Sequence, residues 1–200
     1  MELHASESPY DLILQNVARF IDLNEQEKEL FKSLLKKGSA KRKEFIMQPG
    51  EITKYEYFVT KGCLKVYSLD RNGVEHVSMF AIEDFWTGDM ASFMQQQPSS
   101  YFIKAVEDSE FLMITKENFE RLFKEIPKFE RFYRILYQNS LVSYIRRTNE
   151  GISLTAEERY EIFLNKYPHI ANRIAQKDLA AYLGITPEFL SMIRSKMSKR

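Results

Sequence analysis

Along the first 35 residues, apolar positions recur at helical spacing. Tyr10, Ile13, Leu14, Val17, Phe20 and Ile21 share one face and predict a helix over 9–22. Asn24 with Glu27 three residues on has the form of a capping box, opening a helix with Leu30, Phe31, Leu34 and Leu35 on one side. From Ser39 to Thr115 the pattern changes to short apolar runs at 44–47, 55–60, 63–69, 74–80, 102–106 and 110–114. Turn signals separate them: Pro49-Gly50, Lys61-Gly62, Arg71-Asn72-Gly73 and Glu107-Asp108-Ser109. Asn-Gly between two apolar runs is a hairpin signal, and short strands at regular spacing predict an all-β barrel or sandwich.

Helical spacing returns after Thr115, which caps a helix through Glu125. Pro127 then allows a new start, and a long helix is expected over 127–148. Its apolar residues include Phe129, Phe132, Tyr133, Leu136, Tyr137, Leu141, Val142, Tyr144 and Ile145, too many for one face, so it is expected to pack on two sides. The hinge is expected at 148–153, and a helix over 154–167 turns Tyr160, Phe163 and Leu164 inward. Two short helices follow. The first spans about 176–183 and ends at Gly184. Thr186 and Pro187 start the second, with Leu190 and Ile193 facing inward. This is a helix-turn-helix, whose second helix fits a DNA major groove.

Charge reinforces that reading. The chain is nearly neutral, but residues 166–200 carry a net charge of +5 and the remainder −4. Such asymmetry favours an acidic partner at the basic end, nucleic acid first. The single cysteine, Cys63, excludes an intrachain disulfide, a zinc finger and a cysteine-ligated cluster, and its apolar setting predicts a buried thiol. Glu2, His4, Glu7 and Asp11 interrupt any apolar run of a secretory leader, and no run reaches membrane-span length, so a cytoplasmic protein without membrane contact is expected. His76 follows a turn, and nothing marks it as a haem ligand. No nucleophile–base pair or metal cluster points to an enzyme.

The order of barrel, long helix, hinge and helix-turn-helix resembles the Crp/Fnr family of regulators. In the barrel the resemblance rests on residues 44–51, 57–67, 70–75 and Gly88-Asp89-Met90-Ala91, and beyond it on the 154–159 helix and the helix-turn-helix. It implies an α+β protein in three parts. Residues 1–126 would form a cyclic-nucleotide-binding-like β-barrel of the double-stranded β-helix (jelly-roll) kind with N-terminal helices. Residues 127–148 would form a dimerisation helix, and 149–200 the helix-turn-helix domain. It further implies a homodimeric, non-enzymatic, DNA-binding transcriptional regulator, with RNA polymerase as a further partner. The competing reading is a ligand-sensing or protein-interaction module of the same fold without DNA binding.

Family members that bind cyclic nucleotide pair its phosphate with an arginine eleven residues after the glycine of a Gly-Glu turn. Here the turn is Gly88-Asp89, followed by Met90, and Ser99 occupies the arginine position. Ser100 keeps a hydroxyl, Tyr101 replaces a small residue, and Tyr144 falls where a small hydroxyl residue would meet the base. Losing a charge-assisted bidentate contact forfeits roughly 2–5 kcal/mol. Cyclic AMP is therefore not expected to bind tightly. No cofactor is expected, and any effector would be a different small molecule. On the second helix, Pro187, Glu188 and Met192 match the family's base-reading positions and share an outer face with Ser191 and Ser195. Glu188 can accept from a cytosine amino group. Arg194, Lys196, Lys199 and Arg200, with Gln176, Lys177 and Thr186, are expected at phosphates. Relatives continue into a β-hairpin wing. With Arg200 the last residue given, a reduced or absent wing is expected.

Overall fold

A computed structural model describes residues 8–198. Two helices open it, α1 (Pro9–Ala18) and α2 (Glu25–Leu34), each started by a capping box. Asn24 and Glu27 form the expected one, and Ser8 with Asp11 forms a second that the apolar periodicity does not reveal. Eight strands follow in two four-stranded sheets: β1 (Leu35–Ala40), β2 (Phe45–Met47), β3 (Tyr55–Lys61), β4 (Leu64–Leu69), β5 (Glu75–Ala81), β6 (Trp86–Thr87), β7 (Phe102–Ala105) and β8 (Ser109–Thr115). One sheet has the order β1-β8-β3-β6 and the other β2-β7-β4-β5, the jelly-roll arrangement expected. A short helix, α3 (Met90–Gln95), interrupts the strands. The chain then runs through α4 (Lys116–Glu125), α5 (Lys128–Ser153), α6 (Ala156–Lys166), α7 (Gln176–Leu183) and α8 (Pro187–Met197).

The structure departs from the sequence pattern in three ways. Leu35 ends the predicted α2 face but is the first residue of β1, which pairs antiparallel with β8 from Leu35↔Ile114 to Ala40↔Ser109. Only the two ends of β1 are buried, and Lys36, Lys37 and Ser39 face solvent. An edge strand with polar residues outward carries little apolar signal. The two-residue strand β6 and the six-residue helix α3 are too short for periodicity to register. The third departure is the hinge. Residues 149–153 continue α5 as helix, with Thr148 Oγ1 and Ser153 Oγ each bonding the carbonyl four residues back, of Tyr144 and Asn149. The helix breaks only before Thr155, which opens α6 with a capping box to Glu158.

The chain divides into two compact units. The first comprises the residues up to Val66 and Phe80–Gln138, the second Tyr67–Met79 and the chain from Asn139 onward. The core of the first is aromatic. Phe31, Phe58, Trp86, Phe93, Phe119, Phe129, Phe132 and Tyr133 form one buried cluster with Ile13, Val17, Leu112 and Ile114. Their rings meet edge-on or tilted, as in Phe93–Phe119 at 5.5 Å and Phe132–Tyr133 at 5.1 Å. A polar anchor joins α1 to this core. Trp86 Nε1 donates to Asn16 Oδ1 (3.2 Å), Asn16 Nδ2 donates to Asp84 Oδ1 (2.8 Å), and Arg19 pairs with Asp84 at 2.6 Å. Gly62 turns the chain between β3 and β4 at φ +91°, where a Cβ would lie 2.6 Å from the Asp108 carbonyl oxygen. Cys63 beside it is buried, as expected.

In the second unit, residues 70–74 form the loop between β4 and β5. Asp70 Oδ1 accepts from the backbone N–H of Asn72 (2.8 Å) and Val74 (3.0 Å), and Gly73 takes a positive φ. His76 sits beside this turn, its Nε2 3.3 Å from Asp70 Oδ2. The helical part buries Tyr160, Phe163, Ile170, Ile174, Leu179, Ala180, Leu183, Leu190 and Ile193.

Candidate functional site

The helix-turn-helix forms as its residues predict. Gly184 closes α7 in a left-handed conformation, and the Ile185 N–H returns to the Ala180 carbonyl (3.0 Å). Thr186 caps α8 by accepting from the Phe189 N–H, with Pro187 in the first turn. Leu190 and Ile193 are buried beneath α8. Glu188, Phe189, Ser191, Met192, Ser195 and Lys196 are exposed, while Pro187 is half-buried. The presented face is thus one carboxylate, one ammonium, two hydroxyls and two large apolar groups. Phe189 is missing from the expected set because its apolar character suggests core.

Several expected phosphate contacts have intramolecular roles. Gln176 Nε2 donates to the Pro187 carbonyl (2.8 Å), tying the start of α7 to the start of α8. Arg194 Nε donates to the Tyr160 hydroxyl (3.0 Å), and Lys196 pairs with Glu157 at 2.6 Å, so both brace α8 against α6. Lys177 and Thr186 are exposed. Lys199 and Arg200 lie outside the described residues.

Two arginines absent from the expected set hold the end of α7. Arg159 donates to the Leu154 (2.7 Å) and Leu183 (3.1 Å) carbonyls. Arg147 donates to the carbonyls of Val77 (2.7 Å), Ser78 and Tyr182 (3.0 Å), with its guanidinium 3.9 Å from the Tyr182 ring centroid. Cations at helix C-terminal carbonyls also complement the helix dipole. Nothing in the spacing of these residues announces that role.

In the barrel unit, the segment matching the nucleotide cassette is closed on itself. Asp89 is buried and caps α3, accepting from the Ser92 N–H (3.2 Å). Ser99 is buried; its Oγ accepts from the Tyr101 N–H (2.9 Å), and its backbone bonds Gly50 and Glu51. Gly88, Met90 and Tyr101 are half-buried and Ser100 is exposed. Lys104, the basic residue nearest the missing arginine, points Nζ at the Phe45 ring, 4.4 Å from its centroid. Trp86 and Phe93 belong to the core. Tyr144, expected near a nucleotide base, is 70% exposed.

Behind the Gly88-Asp89 turn lies Glu56 of β3, only 4% exposed. A Cβ on residue 88 would sit 2.8 Å from Glu56 Oε1, so the glycine leaves room for this carboxyl. Burial, then the nearby Asp89 carboxylate, pushes its pKa up to about 8. The turn thus brings two acidic side chains together, Asp89 within it and Glu56 behind it. Glu56 was legible only as a polar residue in an apolar strand, a pattern that normally marks a solvent-facing position.

A jelly-roll barrel leading through a long helix to a helix-turn-helix defines the regulator class with a cyclic-nucleotide-binding-type domain. Residues 37–126 match the cyclic nucleotide-binding domain family. The chain is 25% identical over 196 residues to the fumarate and nitrate reduction regulatory protein of Vibrio cholerae, covering 88% of this chain and 75% of that one. It is 23% identical over 177 residues to the regulatory protein HlyX of Actinobacillus pleuropneumoniae, covering 82% and 72%. A crystal structure of a Crp/Fnr-family regulator from Eubacterium rectale shares the fold with a TM-score of 0.69 at 18% identity, covering 88% of this chain and 84% of that one. Residues 37–126 thus carry the cyclic nucleotide-binding domain, and over most of its length the chain is similar to regulators of the Crp/Fnr family.

Proposed function

We propose that this protein is a homodimeric, sequence-specific DNA-binding transcriptional regulator that does not respond to cyclic AMP. The observation that carries the reading is α8. Capped by Thr186 and seated on Leu190 and Ile193, it presents Glu188, Ser191 and Met192 to solvent in helix-turn-helix geometry. The relatives, matched over 72% and 75% of their own length, bear the names of regulatory proteins, which supports regulation and gives no support to catalysis. Two copies of α8 would enter successive major grooves, Glu188 accepting from a cytosine amino group and Met192 packing on a thymine methyl. RNA polymerase is the further partner of such a regulator, and the cytoplasm its place of work. Among the described residues, no helix is long and apolar enough to cross a membrane.

The dimer reading rests on α5. Leu141, Val142, Tyr144 and Ile145 are each at least half exposed on this helix. So many large apolar groups together mark a surface to be covered, and a second copy of α5 is the covering that the family architecture offers. Loss of cyclic-AMP response rests on Ser99 at the arginine position, which leaves a phosphate without its charged partner.

The decisive experiment is selection of binding sites from random duplexes at several salt concentrations, with and without cyclic AMP. An enriched two-fold-symmetric site, bound more weakly as salt rises and indifferent to cyclic AMP, is expected. No enriched sequence would return the protein to the reading of a sensing module whose terminal helices bind protein. Light scattering checks the dimer, which Leu141→Glu combined with Ile145→Glu is expected to convert to monomer.

A further inference from the structure

Among the described residues of the barrel unit, Glu56 Oε1, the Tyr133 hydroxyl and the Tyr137 hydroxyl are buried polar atoms without a hydrogen-bond partner. They belong to one neighbourhood. Glu56 lies on the β3 face that carries Phe58, opposite Ile114 of β8, and that face meets the aromatic cluster holding Tyr133. Tyr137 stacks on Tyr133, with ring centroids 5.7 Å apart. Buried polar groups left without a partner are costly and rare in folded proteins, so a cluster of three calls for a function. The Gly88 turn lies tight against the carboxyl. A proton is the ligand that fits. It supplies a donor, removes the charge and adds no bulk.

We propose that Glu56 is the sensing group of this barrel and that its ligand is the proton. With the proton bound, the carboxyl, the Gly88 turn and the Tyr133–Tyr137 stretch of α5 stay packed. With it lost, the buried carboxylate draws water in and loosens the seat of α5 on the barrel. This deepens the reading of the barrel as a sensor, yet the titration itself does not depend on DNA binding.

Burial and the Asp89 carboxylate are what act on the Glu56 charge, and both raise its pKa. Asp89 faces it from the α3 turn, and Tyr133 and Tyr137 face it from α5; Tyr57 lies next to it on β3. Helix α3 has no ionisable side chain, β6 contributes only Trp86 and Thr87, and β8 brings Leu112 and Ile114. In α1 and beside it, Asp11 bonds the Ser8 N–H, Arg19 pairs with Asp84, and Tyr10 lies under Lys37. On α5, Arg131 donates to the Phe20 carbonyl and Arg134 to Gln138. Burial, then Tyr137 and Glu56, raises the Tyr133 pKa, and burial followed by Glu56 raises that of Tyr137, so both remain neutral donors where the carboxyl titrates.

The sign follows from linkage. Glu56 is raised from the ordinary carboxylate value to about 8, so the folded state keeps a proton that the unfolded chain has lost. Its contribution to stability is complete below the ordinary carboxylate range and is lost as pH rises towards about 8.

Trp86, the only tryptophan, sits 5.5 Å from the Tyr133 ring and reports the site in the full-length protein. Its emission should show a one-proton transition with a midpoint near 8, absent in Glu56→Gln and moved to lower pH in Asp89→Asn, which removes the neighbouring like charge. The melting temperature of the parent should fall with pH up to that midpoint, and that of Glu56→Gln should lose this fall. A transition that persists unchanged in Glu56→Gln, or a parent signal that is flat across the interval, overturns the proposal. If Glu56→Gln does not fold, Asp89→Asn decides, and an unmoved midpoint refutes it. These readouts need no DNA, so they can fail or succeed independently of the site selection.

Discussion

Phe132 in the barrel unit is fully buried and meets the rings of Phe20, Trp86, Phe129 and Tyr133 edge-on. Tyr182 in the helix-turn-helix unit is half-buried, and its carbonyl and ring are both held by Arg147. The first region is held by area removed from water, with each large side chain worth about 1.5–3 kcal/mol. The second has fewer large buried groups and relies on directed bonds: Arg147 and Arg159 on carbonyls, Arg194 on Tyr160, and Lys196 on Glu157. Dispersed burial tolerates little rearrangement. A few polar tethers can be exchanged one at a time, which suits an element that must adjust to a partner.

Substitutions should separate the two designs. Phe132→Ala should have the largest effect, destabilising by about 3–5 kcal/mol in urea unfolding through the cavity it leaves. Arg147→Ala should cost about 2–3 kcal/mol, because carbonyls of β5 and α7 lose a charged donor. Hydrogen exchange should then quicken in Glu75–Ala81 and Gln176–Leu183. Arg147→Lys should not restore protection, since an ammonium lacks the planar fork. Equal protection in the parent and the alanine variant would break the comparison. Thr186→Ala removes the α8 cap and should cost about 1 kcal/mol, read as a lower melting temperature. Lys177→Ala should leave the melting temperature in place and reduce the salt dependence of DNA binding by about one counterion, measured by titrating a selected duplex.

Much of this was readable in advance. The capping box at Asn24, the strands around Asn72-Gly73, the long apolar helix and the Gly184–Thr186–Pro187 turn each follow from local chemistry, and each is present. Local rules also mislead in identifiable ways. Residues 148–153 read as a hinge, but the Thr148 and Ser153 hydroxyls fold back onto the helix and α5 continues. Gln176, Arg194 and Lys196 read as groups awaiting a phosphate, but the fold supplies the Pro187 carbonyl, Tyr160 and Glu157 as partners.

The sequence by itself determined most helices and the main strands, and that an all-β barrel or sandwich leads to a helix-turn-helix, though not β1, β6, α3 or the end of α5. The legible features depend on periodicity and on turn chemistry within a few residues. Only the tertiary structure decided that Glu56 lies buried behind Gly88 with Tyr133 and Tyr137 nearby, and that Arg147 binds carbonyls some seventy and thirty-five residues away. The reason is physical. A side chain's burial and charge state depend on groups distant in the chain, and local spacing does not encode which of them arrive.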